Sequence, residues 1–467
     1  MKSGKLLLVL LVTAALATSG CSAPTPALYA GDSGLEVTVY NNDLGVVKEA
    51  RDMSLQDGVG WYAFEGVASS IDPTSVKLSS RDGSFEVLEQ NYEYDLVSKA
   101  KILEKYLGQK IQGSVVVGNT KEPVSGILLA SQGGELILKL DDGSIRIVSV
   151  NDLLLPSLPE GLIMKPTLEW LLSNKGAGQK TAELSYMTSG MSWAADYVLV
   201  TDKDDKAMDL NGWVTINNNA GATFKDAALK LVAGDVNLVR PPQPTYARYD
   251  MAMESKGSVS QFQEESLFEY HMYDLGRRTT LKDNEQKQLS LLTSQGSKVE
   301  KEYVYENDGT WYWGGSDGTG KIQVKLNFNN SKTNGLGMPL PKGKVRVFKA
   351  DSEGRLQFLG EDQIDHTPKD ETVRILVGNA FDIVGERKQM NVQDLGCQHE
   401  ITWESTLRNH KSEDVTVTVI ESAFWDWKIT SENYPHIKES NRRIRWNVPV
   451  KAGGESKLAY TIRYNWC

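Results

Sequence analysis

The chain has 467 residues, with 51 Lys and Arg against 61 Asp and Glu, 40% hydrophobic residues, 41 Gly and 15 Pro. This is a globular composition, enough for roughly two to four domains of usual size, and it excludes a disordered, collagenous or multi-span membrane protein. Eleven Trp stand beside only five His and three Cys, which leaves little material for a transition-metal or thiol centre; no cofactor is expected.

The first twenty residues set the compartment. Lys2 and Lys5 precede the apolar run Leu6 to Val12, extended by Ala14 to Ala17, and Thr18-Ser19-Gly20-Cys21 follows. A charged start, a short apolar core and small residues make a secretory signal, and the run is too short to span a bilayer, which needs about 20 apolar residues. The small-small-Cys ending resembles a bacterial lipobox, with Thr18 where Leu is usual. It implies a signal peptide over 1–20, lipidation at Cys21, a tether over 21–34, and a protein held in the cell envelope by its lipid, at the outer membrane facing the periplasm. The alternative is a plain signal cut after Ala23 or Ala30. Removing residues 1–20 takes away two Lys and no acid, so the mature chain is more acidic still. An evenly mixed acidic surface argues against nucleic acid as a partner.

Helix signal is scarce. Leu96 to Ile111, with Val97, Ala100, Ile102, Leu103, Tyr106 and Leu107 apolar, fits one short amphipathic helix that Gly108 weakens. Pro166 to Leu172 is a weaker helix candidate. The rest reads as strands and turns, so the fold class is mainly β. An N-terminal β module covers 35–95, where Glu36 to Tyr40 alternates and Arg81-Asp82-Gly83 carries a hairpin signature. The helix and a small barrel-like meander cover 96–155. A central β domain covers 156–383. Within it, residues from about 241 to 265, opening on Pro241-Pro242-Gln243-Pro244, read as a mobile loop or linker. Residues 384–467 resemble an immunoglobulin-like sandwich.

Several segments in order look familiar: Ser185-Tyr186-Met187-Thr188-Ser189-Gly190-Met191-Ser192-Trp193 with Tyr197, Asn217-Asn218-Asn219-Ala220-Gly221, and Leu229 to Gly234. Phe268-Glu269-Tyr270-His271-Met272-Tyr273-Asp274-Leu275, Gly337-Met338-Pro339-Leu340-Pro341-Lys342-Gly343 and Ile364-Asp365-His366-Thr367-Pro368 continue the series. Together they resemble a bacterial envelope family, domain of unknown function 4139, whose named members are mucoidy-inhibitor-A-like proteins. The chain departs from those members in lacking a long coiled-coil insertion. The resemblance implies no reaction and no catalytic residues; the name implies an influence on surface polysaccharide.

Gly314-Gly315-Ser316-Asp317-Gly318 spells a nucleophile elbow, and Gly315 to Lys321 nearly spells a phosphate loop. Both motifs require a following helix, whereas Lys321 to Leu326 alternates like a strand and Ile322 replaces the Ser or Thr that would hold magnesium. Metal-ligand spacings are absent from the sequence. Glu361, Asp362, Asp365 and His366, followed by Asp370 and Glu371, form the nearest acid–base cluster; the alternative is a turn in which Asp365 bonds its own backbone. His366 is the first choice for any site.

Trp311 and Trp313, and Trp425 and Trp427, stand two apart. On a strand each pair faces one side, as core or as a platform for sugar rings or a partner. Cys397 and Cys467 can pair in an oxidising compartment if their strands run antiparallel, because the two Cys then lie at the same end. The leading expectation is a non-catalytic envelope lipoprotein acting as a binding or scaffolding module, with an envelope protein or polysaccharide as partner. A carbohydrate-binding protein and an envelope hydrolase are the alternatives.

Overall fold

The structure is a computed structural model that describes residues 34–117, 120–149, 152–234, 236–238, 262–307, 318–424 and 426–465. Strands dominate these residues, as the alternation requires. Met191–Thr201, for example, buries Met191, Trp193, Ala195, Tyr197, Leu199 and Thr201 and turns every intervening side chain outward or half-outward.

Three sheets enclose the largest core. The seven-stranded sheet runs Gln263–Leu267, Tyr270–Leu281, Phe224–Ala233, Glu36–Tyr40, Gly45–Leu55, Gly178–Thr188 and Lys77–Ser80. Glu36–Tyr40 lies parallel to Phe224–Ala233, and the other neighbours are antiparallel. A three-stranded sheet of Gly58–Glu65, Thr167–Asn174 and Phe85–Glu93 contributes Leu168, Trp170 and Leu172. A five-stranded sheet orders Glu285–Lys298, Ala207–Asn218, Met191–Thr201, Gly343–Ala350 and Leu356–Ile364, and it contributes Trp193, Tyr197 and Val347 to the same core.

The nine-stranded sheet runs Asp426–Glu432, Glu455–Asn465, Gln398–Asn409, Thr372–Asp394, Gly318–Asn329, Glu300–Asn307, Val415–Ser422, Arg443–Val450 and His436–Ser440. It folds over on itself as a sandwich: Trp446 and Tyr460, from its two halves, stack with ring centroids 4.4 Å apart. Two long paired strands tie this sandwich to the first core. Gly318–Asn329 places Ile322 in the second core and Leu326 and Phe328 in the first, while Thr372–Asp394 places Ile383 in the second and Val373 and Ile375 in the first.

The third core belongs to a small module. Asp152–Leu154, Lys110–Val117, Thr120–Gln132, Glu135–Lys139 and Ile145–Val148 form its sheet, and helix Lys99–Lys105 covers the inner face with Leu103; Tyr106, just past the helix, packs there too. The helix is shorter than the periodicity over 96–111 suggests. Ser98 Oγ accepts from the Lys101 N–H at its start, and Gly108, at φ +80°, turns the chain into the strand that begins at Lys110.

Two other expectations are corrected. Pro166 to Leu172 is not helical, because Leu168, Trp170 and Leu172 alternate inward on a strand paired on both sides. The turn at Arg81-Asp82-Gly83 does not close a hairpin. Lys77–Ser80 pairs with Gly178–Thr188, whereas Phe85–Glu93 pairs with Thr167–Asn174, so the turn passes between two sheets, fixed by Asp82 accepting from Ser80 Oγ and the Ser84 N–H. Of the segment expected as a loop, Gln263 to Glu265 lie in a strand, and 239–261 lie outside the described residues. No helix among the described residues is long and apolar enough to cross a membrane.

Candidate functional site

Three of the segments singled out by their familiarity, those of Tyr197, Tyr273 and His366, meet at a fourth, the buried loop Gly337 to Gly343. Its two prolines supply no N–H, so its polar groups must be satisfied by side chains and neighbouring backbone. Tyr197 donates its hydroxyl to the Pro341 carbonyl at 2.8 Å, and Tyr273 donates to the Pro339 carbonyl at 3.0 Å. Asn330 donates Nδ2 to the carbonyls of Met338 at 2.8 Å and Pro368 at 3.0 Å, and its Oδ1 accepts from the Gly337 N–H at 3.1 Å. Leu340 and Thr367 exchange backbone bonds of 2.8 Å. Both ends of the loop need glycine. Gly337 has φ +96° and a Cβ there would fall 2.6 Å from the Lys332 nitrogen, while a Cβ on Gly343 would fall 2.1 Å from the Ala195 carbonyl oxygen. Burial holds the Tyr197 and Tyr273 phenols well above their usual range, so both stay neutral donors.

His366 belongs to this junction. Its Nδ1 accepts the Lys342 N–H at 3.1 Å, which fixes the ring and puts the proton of the neutral imidazole on Nε2. The acids near it in sequence point elsewhere. Glu361 faces Lys344 and Arg346, each at 3.5 Å, and Asp362 accepts the Leu376 N–H at 2.7 Å. The Asp365 carbonyl accepts from Thr367 Oγ1 at 2.9 Å, so the stretch is a local turn that braces the loop.

Beside Tyr273 lies a pair that sequence reasoning missed. His271 Nδ1 sits 2.8 Å from Glu264 Oε1, both side chains mostly buried at one edge of the seven-stranded sheet. With Glu264 on Nδ1, the Nε2 of a neutral ring is left as an acceptor, the arrangement a general base uses. The signal in the sequence is thin: His271 stands in an alternating strand, and the acid that meets it is seven residues earlier, across a turn.

Trp427 is not an open platform. Its Nε1–H donates to the Asn441 carbonyl at 2.7 Å, Lys438 Nζ lies 4.9 Å from the ring centroid, and His436 packs against its edge. Glu432 ties this cluster to the core, receiving His436 Nδ1 at 3.0 Å and the Nε1–H of buried Trp446 at 2.9 Å. Burial works to raise the Glu432 carboxyl, but these hydrogen bonds outweigh it and the net shift is downward. Trp311, Trp313, Trp425, Ser316, Cys21 and Cys467 lie outside the described residues. Lys321 lies on the strand that follows the Gly-rich stretch. Cys397 is disulfide-bonded and is the only Cys among the described residues. No three His, Cys, Asp or Glu among the described residues gather as a metal site.

No curated protein matches the chain. A family model described as a domain of unknown function, DUF4139, matches residues 182–467, a span that takes in Tyr197, Tyr273, Asn330, the Gly337 to Gly343 loop and His366. That span is more than half of the chain, and the protein belongs to the DUF4139 family.

Proposed function

We propose that the protein is a non-catalytic lipoprotein of the bacterial cell envelope, anchored at Cys21, whose β body serves as a binding or scaffolding module. The observation that carries this reading is the convergence on the Gly337 to Gly343 loop. Tyr197, Tyr273 and His366 come from separate familiar segments, Asn330 joins them from outside those segments, and each spends a polar atom on the backbone of the loop or of its brace. Residues used this way hold a shape, and a held shape suits a protein that presents surfaces to partners. The basic, apolar, small, Cys order of the first 21 residues supports the anchor. The likeness to mucoidy-inhibitor-A-like proteins supports an envelope protein or polysaccharide as partner.

A second reading, envelope hydrolase, moves from His366 to His271 and Glu264, because that pair leaves an acceptor nitrogen at a sheet edge. One experiment separates the two. In a strain deleted for the chain, His271→Gln and Glu264→Gln variants should rescue any envelope defect of the deletion as fully as the original. Loss of rescue by both variants, at unchanged melting temperature and expression, would show that the pair is needed for function and favour the hydrolase.

A further inference from the structure

The small module carries an apolar face that its own core does not use. It interrupts the three-stranded sheet: Glu93 and Thr167 pair directly, so residues 94–166 leave and return at one point and fold around a separate core. Its inner face packs Val124, Leu128, Leu136 and Leu138 with Leu103 and Tyr106. The outer face of an antiparallel sheet is ordinarily polar. Here one cross-strand row is Ile127, Lys139 and Ile145, and the next is Ala130, Ile137 and Ile147. Ile145 is 65% exposed and Ile147 62%, while Leu129 beside them and Leu154 across the sheet are also exposed. Residues 94–164 hold 11 of the 28 exposed large hydrophobic side chains of the described chain, far more than their share of its length.

From this geometry we infer that the outer face of the module is a lipid-binding surface that lays the protein on the bilayer holding its anchor. The inference rests on the reading of Cys21 as lipidated. Gly34, the first described residue, lies thirteen positions after Cys21, which is a reach of at most about 45 Å. The body is therefore kept within touching distance of the membrane. The charge pattern fits an interface. Lys139, between Ile127 and Ile145, has no ion pair among the described residues, and its long stem lets the ammonium reach a lipid phosphate while the isoleucines enter the acyl boundary. Residues 95–163 carry seven Lys and Arg against eight Asp and Glu, so the module is nearly neutral in an acidic chain and is not repelled by an anionic leaflet.

The test uses the full mature chain with Cys21→Ala, so that any membrane binding comes from the face and not from the acyl group. It is floated with vesicles of phosphatidylethanolamine and phosphatidylglycerol. The soluble chain is expected to float with the vesicles, and Ile145→Asp with Ile147→Asp to weaken this by about tenfold or more. Both positions are exposed, and an unchanged melting temperature verifies the fold; Ile145→Thr with Ile147→Thr substitutes if it drops. A chain that does not float, or a double variant that floats equally well, overturns the inference. So does a concentration-dependent dimer that the double variant abolishes, which would assign the face to a second copy. Fatty-acid labelling of the unmodified chain reads the anchor separately, so failure of the anchor and failure of the face are distinguishable.

Discussion

Arg387 and Glu421 form an ion pair of 2.6 Å between strands 34 residues apart, with both side chains almost wholly buried in the nine-stranded sandwich. Tyr460 donates its hydroxyl to the second Glu421 oxygen at 2.7 Å, and the guanidinium carbon lies 3.5 Å from the Trp403 ring centroid. Two desolvated charges are costly, but removing one partner strands the other, which costs about 3–5 kcal/mol. Glu421→Ala and Arg387→Ala should each lower stability by that amount in urea unfolding. Replacing both with Met should cost less than either single change; a double variant as unstable as the sum of the singles would refute the pairing.

Asn330 braces the Gly337 to Gly343 loop with three hydrogen bonds from one fully buried side chain. Asn330→Ala leaves two carbonyls and one N–H without that partner, and should lose about 3 kcal/mol or more. Tyr197→Phe strands only the Pro341 carbonyl and should lose about 1–2 kcal/mol. Thermal melts monitored by near-ultraviolet dichroism rank the two, and a smaller loss for Asn330→Ala would show that the loop is not held as described.

Glu432 should make the C-terminal sandwich acid-sensitive. Its carboxyl is held below the ordinary value near 4.3, so its contribution to stability is present above that value and is lost as the pH falls through the lowered one. The fall in melting temperature between about pH 6 and about pH 3 should be smaller in Glu432→Gln than in the original chain. An equal fall in both would remove Glu432 from the acid response.

The partner of Cys397 is proposed to be Cys467. Gln398 pairs with Asn465 on antiparallel strands, so the chain has only two residues to travel from Asn465 to Cys467, and Cys397 stands next to Gln398. A bridge closing about 70 residues adds about 4 kcal/mol by loop entropy. Peptide mapping without reductant should recover the two peptides joined; free thiol at Cys467 in protein taken from the envelope would dispose of the bridge.

What local pattern dictates was legible. Glu36 to Tyr40 alternates and is a strand, and the apolar spacing of Ile102, Leu103 and Tyr106, weakened at Gly108, marks the described helix. What depends on distant partners was not. Thr167–Asn174 reads ambiguously because its apolar side chains are dense, and two flanking strands decide the matter. The turn at Asp82 has hairpin chemistry, yet its flanking strands are claimed by different sheets. Arg387 and Glu421 look like ordinary surface charges until folding brings their strands together, and His271 shows nothing of Glu264. His366 stands out in the sequence as the first choice for a site, whereas in the fold its Nδ1 accepts a backbone N–H at the loop, which no spacing rule reveals.

The most direct test of an envelope lipoprotein is metabolic labelling with a fatty acid, followed by fractionation of cells carrying the original chain or Cys21→Ala. The original should be labelled and recovered in the outer membrane, and Cys21→Ala should be unlabelled and lose that tight attachment, entering the periplasm with at most the weak vesicle binding of the exposed face. A Cys21→Ala chain that is still labelled and still fractionates as the original does would contradict the anchor, and with it the proposed place of the protein in the cell.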